Sequence, residues 1–249
     1  PAMYRQVLPF AKVVVGEDRK NAIENIIKQY TDSCAIIMDD GYQHRAVDPG
    51  LKILLTGYSD PYFNDLLLPA GNLREFRSGY KRADIIVVTK CPQGINDSEK
   101  NRIVEKIHPS DHQHVFFSWQ VYGDLIDDSA NRSIKLNDLQ DRPVVLVTGI
   151  ANPDPLIRFM ESITEKVMPV TFTDHHMFTE KDAVRISEML NSTGQKNAIV
   201  VTTLKDRVRM TGPEFDKISE KLFTIPVKPV FDDETAFYSI IDRFVKAHD

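Results

Sequence analysis

Short apolar runs punctuate the chain at residues 12–15, 34–38, 51–56, 85–89, 115–118, 144–148, 169–172, 198–202 and 222–227. They are rich in Val and Ile and do not alternate cleanly with polar residues. Strands covered by helices on both faces have this pattern. Between many of them the apolar spacing changes to a period of about 3.6 residues. Asp18 precedes a stripe of Ala22, Ile23, Ile26, Ile27 and Tyr30, which predicts a capped helix. Ile103, Val104 and Ile107 share a face of a helix predicted over residues 96–107, as Leu156, Ile157, Met160 and Ile163 do over 154–167. Thr179 and Asp182 form a capping-box pattern ahead of Ala183, Val184, Ile186, Met189 and Leu190. A last helix over 233–247 carries Ala236, Phe237, Ile240, Ile241, Phe244 and Val245 as one stripe.

Alternating strand and helix predict an α/β fold with mainly parallel sheets and flanking helices. The pattern loosens between residues 121 and 142, where Asp, Asn and Ser accumulate. Two lobes are therefore expected, residues 1–125 and residues 126–249. Composition narrows the class further. The formal net charge of −5 argues against a generic nucleic-acid binder, which needs a basic surface. The two cysteines, Cys34 and Cys91, have no metal-ligand spacing, and a reducing compartment is the simplest reading. No apolar run approaches the roughly 18 residues that span a bilayer.

Candidate chemistry collects where predicted strands end. The run Cys-Ala-Ile-Ile-Met-Asp-Asp-Gly at 34–41 drives apolar residues straight into two carboxylates. Asp39 and Asp40 would then lie at a carboxyl edge, where open α/β sheets bind ligands. In phosphate-handling enzymes a strand-end acidic pair holds Mg²⁺, a hard cation that prefers oxygen ligands. The other reading of Asp-Gly after a strand is a plain turn. Gln43, His44 and Arg45 follow at once, with donors suited to phosphate or sugar oxygens. Residues 67–75, Leu-Leu-Pro-Ala-Gly-Asn-Leu-Arg-Glu, read by themselves as a surface turn. Asp174, His175 and His176 close another strand and suggest a metal site or a proton relay. Thr-Gly-Ile-Ala-Asn-Pro at 148–153 and Thr-Thr-Leu-Lys-Asp at 202–206 are further strand-end loops. No G-x-x-x-x-G-K-S/T run, the loop that cradles nucleotide phosphates, occurs in the chain.

Taken in order, the runs at 39–45, 67–75, 148–153, 174–178 and 202–206 resemble the tetraacyldisaccharide 4′-kinase family of lipid A biosynthesis in Gram-negative bacteria, over essentially the whole chain. The resemblance implies a P-loop NTPase-like fold in two lobes that close on an active-site cleft. It implies transfer of the ATP γ-phosphate, with Mg²⁺, to the 4′-hydroxyl of a tetraacylated glucosamine disaccharide 1-phosphate. By position, Asp39 and Asp40 match the Mg²⁺-associated pair. Gln43, His44, Arg45, Asn72, Arg74 and Glu75 match the substrate-facing stretches. His175, with Asp174 beside it, matches the histidine that assists a catalytic Asp. Two positions depart from the pattern: Leu204 stands where many members carry Glu, and Tyr42 where Phe or Leu is usual.

Family members also carry a membrane-associating N-terminal segment, a phosphate loop and a Gly-Asp-Glu-Pro run. Pro1 resembles the end of that run. The expectation is of a chain that starts just after the catalytic Asp and is folded but inactive alone. The whole enzyme is expected at the cytoplasmic face of the inner membrane, with ATP and an acylated disaccharide as partners and no nucleic acid. Two other classes stay open on the residues: a metal-dependent hydrolase built from Asp39, Asp40, Asp174, His175 and His176, and a non-catalytic nucleotide-binding module.

Overall fold

A computed structural model of the chain describes residues 2–31, 35–127 and 131–247. Pro1 and Cys34, on which two of the expectations above fall, lie outside the described residues. The helices are α1 (Ala2–Val7), α2 (Arg19–Gln29), α3 (Asp97–Ile107), α4 (Asp154–Glu161), α5 (Glu180–Ser192), α6 (Leu204–Arg207), α7 (Asp216–Ser219) and α8 (Glu234–Lys246). The strands are β1 (Ile53–Gly57), β2 (Ile85–Thr89), β3 (His114–Tyr122), β4 (Leu125–Asp127), β5 (Arg132–Ile134), β6 (Val144–Thr148), β7 (Val167–Thr171), β8 (Ile199–Thr203), β9 (Leu222–Ile225) and β10 (Val227–Phe231). They form two compact units. One comprises Val14–Val121 and Pro229–Asp249, the other Pro1–Val13 and Tyr122–Lys228. The tail from residue 229 thus packs with residues 14–121, because β10 joins β3 and α8 lays its apolar stripe on the same sheet.

The first unit holds a sheet of order β1-β2-β3-β10, with β1, β2 and β3 parallel. Its central strand β2 is apolar on both faces. Ile86 and Val88 pack with Ile107 and Phe117 on one side, while Ile85 and Val87 meet Phe116 and Phe237 on the other. The helices start where side-chain oxygens meet backbone donors that would otherwise be orphaned. Asp18 accepts from the Asn21 amide at 3.1 Å, Asn96 from Glu99 at 2.9 Å and Asp233 from Ala236 at 2.9 Å.

The second unit holds a six-stranded sheet of order β5-β4-β9-β8-β6-β7. Strands β7, β6, β8 and β9 are parallel, and β4 and β5 join antiparallel. Successive residues of β6 feed opposite cores. Val145 and Val147 pack under α5, with Ile186 and Leu190, while Val144 and Leu146 pack under α4, with Leu156 and Met160. Pro169 lies in β7, the terminal strand, where a missing N–H leaves no ladder bond broken on the open side.

Four expectations need correction. Residues 12–15 and 35–38 form no strand: neither pairs with a neighbour, and Val15 and Ile37 are 68% and 93% exposed. A strand exists through its ladder and buried face, and an apolar run with neither has nothing to offset its ordering. The helix expected over 154–167 ends at Glu161, where Ser162 turns its hydroxyl onto the Phe159 carbonyl at 2.6 Å. Residues 222–227 split at Pro226 into β9 and β10, which enter different sheets. Strands β4 and β5 arise within the loosened stretch.

Helix α5 offers a direct check on this packing. Ile186 is fully buried and Val184 is half exposed. Ile186→Ala should cost about 2–5 kcal/mol in urea unfolding, and Val184→Ala no more than about 0.5 kcal/mol. The opposite ranking would mean the helix presents another face to the sheet.

Candidate active site

The acidic pair occupies an exposed turn, and the expected strand end is not there. Asp40 has φ 49°, in the left-handed region that Asp tolerates better than most residues. Its carboxylate lies 3.6 Å from the Arg74 guanidinium. Both side chains are largely exposed, at 75% and 64%, so the pair contributes about 0–1 kcal/mol. Its value is geometric: it joins the run at 39–45 to the run at 67–75.

Beneath this contact lies a firmer one. The Tyr42 hydroxyl donates to the Gly79 carbonyl at 2.9 Å, and Arg82 stacks over the Tyr42 ring at 4.8 Å. Arg82 also donates to both Glu75 carboxylate oxygens, at 2.8 and 3.0 Å. Burial pushes the Tyr42 phenol up, against the opposing charge of Arg82. A Cβ at Gly79 would stand 2.8 Å from the Glu75 carboxyl carbon, so glycine is what lets the carboxylate lie there. Glu75 and Tyr42 thus fasten the turn, while Gln43, His44 and Arg45 face solvent.

The 67–75 loop is pinned from below by Asp65. Its carboxylate accepts from the Leu66 amide at 2.7 Å and the Asn72 amide at 3.1 Å. The Asn72 amide, followed by that of Leu66, holds the Asp65 carboxyl below its ordinary range. Arg77 donates to the Asp65 carbonyl at 2.8 Å. The loop so fixed exposes Leu66, Leu68 and Phe76 at 54%, 62% and 74% beside Arg74 and Arg77.

The other unit gathers its polar residues at the carboxyl edge of β7, β6 and β8. Asp174 follows β7 and accepts from the Lys205 ammonium at 2.9 Å and from the His175 amide at 2.9 Å. The Lys205 hydrogen bond, above all, holds the Asp174 carboxyl below the usual carboxylate range. The two histidines differ in kind. His175 has φ 59° and a side chain 76% exposed, its ring 3.6 Å from the Asp174 carboxylate. The His176 ring is half-buried, stacks on Phe172 at 4.5 Å and sits 3.0 Å from Asp182. Asp182 also accepts from the amide and hydroxyl of Thr179, each at 2.8 Å, and so caps α5. His176 is therefore part of the helix cap, and His175 presents its ring to solvent.

The structure thus brings Asp40, Arg74, Glu75 and Tyr42 into one network and Asp174, His175 and His176 into another. Lys205 stands in the run at 202–206, without a role of its own in the sequence analysis, and Arg209 lies beyond that run. A signal for them existed in Thr203-x-x-Asp206, a capping pattern, with Arg209 one helical turn further on. Among the described residues no group of three or more His, Cys, Asp or Glu side chains is placed to hold a metal ion. The hydrolase alternative therefore gains no support.

The family model for tetraacyldisaccharide-1-phosphate 4′-kinase matches residues 1–246. The chain is 37% identical over 251 aligned positions to a tetraacyldisaccharide 4′-kinase of Flavobacterium psychrophilum, covering 99% of this chain and 70% of that protein. It is 36% identical to that of Flavobacterium johnsoniae, covering 93% of this chain and 65% of the relative. The corresponding enzyme of Bacteroides thetaiotaomicron is 35% identical, with 84% of this chain and 58% of the relative covered. The chain thus spans roughly three-fifths to two-thirds of the length of these relatives. Among solved structures, the "apo" form of LpxK from Aquifex aeolicus in complex with ATP superposes with a TM-score of 0.65 at 26% identity. That match covers 97% of this chain and 67% of the other.

Asp182 makes a pH-dependent prediction. Burial raises its pKa, but the His176 and Thr179 hydrogen bonds outweigh burial and leave it below 3.8. Because its folded-state value is depressed, the stability it contributes is present above the unfolded-state value and lost as pH falls through the folded one. Urea midpoints measured from neutral pH down to about pH 3 should therefore fall more steeply for the unmodified protein than for Asp182→Asn. Parallel curves would mean that the cap carries no ionised carboxylate.

Proposed function

The chain belongs to the tetraacyldisaccharide-1-phosphate 4′-kinase family, and from that membership we propose that it serves the transfer of the ATP γ-phosphate to the 4′-hydroxyl of a tetraacylated disaccharide 1-phosphate. The observation that carries this reading is the family match across residues 1–246. The site residues agree with it in chemistry. Asp39 and Asp40 supply two adjacent, exposed carboxylates, which suits Mg²⁺, an ion that takes one or two protein carboxylates and completes its shell with phosphate oxygens and water. Held by these carboxylates, Mg²⁺ would supply neutralisation of the charge on the phosphates. The chain contains no phosphate-cradling Gly-rich loop, so no residue here is assigned to hold the β- and γ-phosphates.

In the transfer the 4′ oxygen bonds to the γ-phosphorus, the bond from that phosphorus to the β,γ-bridging oxygen breaks, and ADP leaves. The proton of the attacking hydroxyl passes to a base. Asp174 is ionised and committed to Lys205, which suits it to orienting its neighbour. His175, with an accessible imidazole, orients or tunes the base. Arg74, Gln43, His44 and Arg45 offer exposed donors to sugar hydroxyls and the 1-phosphate.

The loop at 66–76 supports a lipid substrate and a peripheral place on the inner membrane's cytoplasmic face. Its side is lined by Leu66, Leu67, Ala70, Leu73 and Phe76 around a cavity of about 520 Å³. Exposed apolar residues beside arginines suit acyl chains below anionic headgroups. No helix among the described residues is long and apolar enough to cross a membrane.

The test is complementation. The complete gene encoding these residues should restore growth to a Gram-negative strain depleted of its own 4′-kinase, and Asp39→Asn with Asp40→Asn should not. Failure of the unmodified gene, with the protein present, would refute the reading. In the purified enzyme His175→Ala should lower kcat by about 10²-fold, and His176→Ala by clearly less, with thermal unfolding run alongside. The reverse ranking would move the functional role to His176.

A further inference from the structure

Asp206 is fully buried, an unusual place for a carboxylate unless it is paired. One oxygen accepts from the Gly149 amide at 3.0 Å and from the Thr203 hydroxyl at 2.7 Å. The other lies 2.6 Å from Arg209. Arg209 spends its remaining donors on main-chain carbonyls: Gly149 at 3.2 Å, His176 at 3.3 Å and Lys205 at 3.1 Å. Together these contacts join three segments: Gly149 follows β6, His176 follows β7, and Thr203, the last residue of β8, leads into the segment that holds Lys205. A Cβ at Gly149 would stand 3.0 Å from an Asp206 oxygen and 3.4 Å from the Thr173 carbonyl, so this strand end is tight to one methyl group.

The segment after β8 therefore grips the 174–176 loop at two points. Lys205 holds the side chain of Asp174, and Arg209 holds the carbonyl of His176. His175 lies between the two grips with a left-handed backbone and an exposed ring. A left-handed, non-glycine residue persists only where its surroundings over-determine it. The two grips supply that determination.

We propose that Lys205, Asp206 and Arg209 are positioning residues for His175: the Asp206–Arg209 pair locks the loop's backbone and Lys205 locks its leading carboxylate, so that the imidazole is delivered in one orientation. Arg209 is suited to this because a planar guanidinium serves a carboxylate and several carbonyls at once, which a lysine ammonium at that site does not. The inference rests on the reading of His175 as functional, and its structural half stands apart from that reading.

The experiment has two arms, both on the protein expressed from its complete gene. In the first, ¹⁵N-histidine-labelled protein is compared with Arg209→Lys and with Lys205→Met, a change at a partly exposed side chain that leaves the buried pair intact. The amide signals of His175 and His176 should move in both variants, while those of His108 and His114, which belong to the other unit, stay in place. Unmoved His175 and His176 signals in well-folded variants would overturn the proposal. In the second arm, phosphoryl transfer is measured. Each variant should lose about tenfold or more in kcat with KM for ATP within about twofold, the pattern of a misplaced acid–base participant. In a His175→Ala background the same substitutions should cost almost nothing further. Losses that simply add in that background would show that the segment acts on stability and not through His175. If the unmodified protein transfers no phosphate, the functional reading fails, and the first arm alone decides whether the grips exist.

Discussion

Parallel pairing is the constraint from which the rest of the second unit follows. Strands β7, β6 and β8 run side by side in one direction, so their following loops must all leave at one edge. Crowding there buries backbone groups that the ladder no longer serves, and each needs a partner away from water. The Gly149 amide is such a group, and Asp206 is its partner. A buried carboxylate in turn needs a cation and further donors to be tolerable. Arg209 and Thr203 meet that need, and Arg209 in doing so reaches the His176 carbonyl. The placement of the 174–176 loop is thus a consequence of closing one sheet edge.

The same edge divides two adjacent histidines that composition cannot separate. His176 spends its ring on Phe172 and on the carboxylate that caps α5. His175 gives its amide to Asp174 and leaves its ring 76% exposed, 3.6 Å from the same carboxylate. A fixed neighbour and an exposed imidazole suit the acid–base role proposed for His175. In the other unit the logic repeats with different parts. Tyr42, Glu75 and Arg82 hold the turn from beneath, and the Asp40–Arg74 pair remains exposed at the surface.

What the sequence made legible was local. Strands at 85–89 and 144–148, the cap at Asp18, the helices beginning at 96 and 233, and the capping box of Thr179 and Asp182 all depend on residues a few positions apart. Residues 12–15 and 35–38 misled because a strand is a property of a pair, and their apolar character says nothing of a neighbour. Pro226 carried a boundary that the apolar run around it concealed. At the candidate site, the residue types and their order were legible, and the family with them. The division of labour was not. Glu75 reads as a substrate contact in sequence and is engaged by Arg82 in space, seven residues along the chain. The reach of Arg209 back to Gly149 spans 60 residues, which no local pattern encodes.

The central claim is a transfer of phosphate to a sugar hydroxyl, and the lipid product itself tests it most directly. The protein from its complete gene would be incubated with ATP, Mg²⁺ and tetraacyldisaccharide 1-phosphate in mixed micelles, and the extracted lipid examined by phosphorus NMR. A second phosphomonoester should appear, coupled to the proton at the 4′ carbon and formed in step with ADP. Release of inorganic phosphate with the lipid unchanged, or a phosphate on any other hydroxyl, would contradict it.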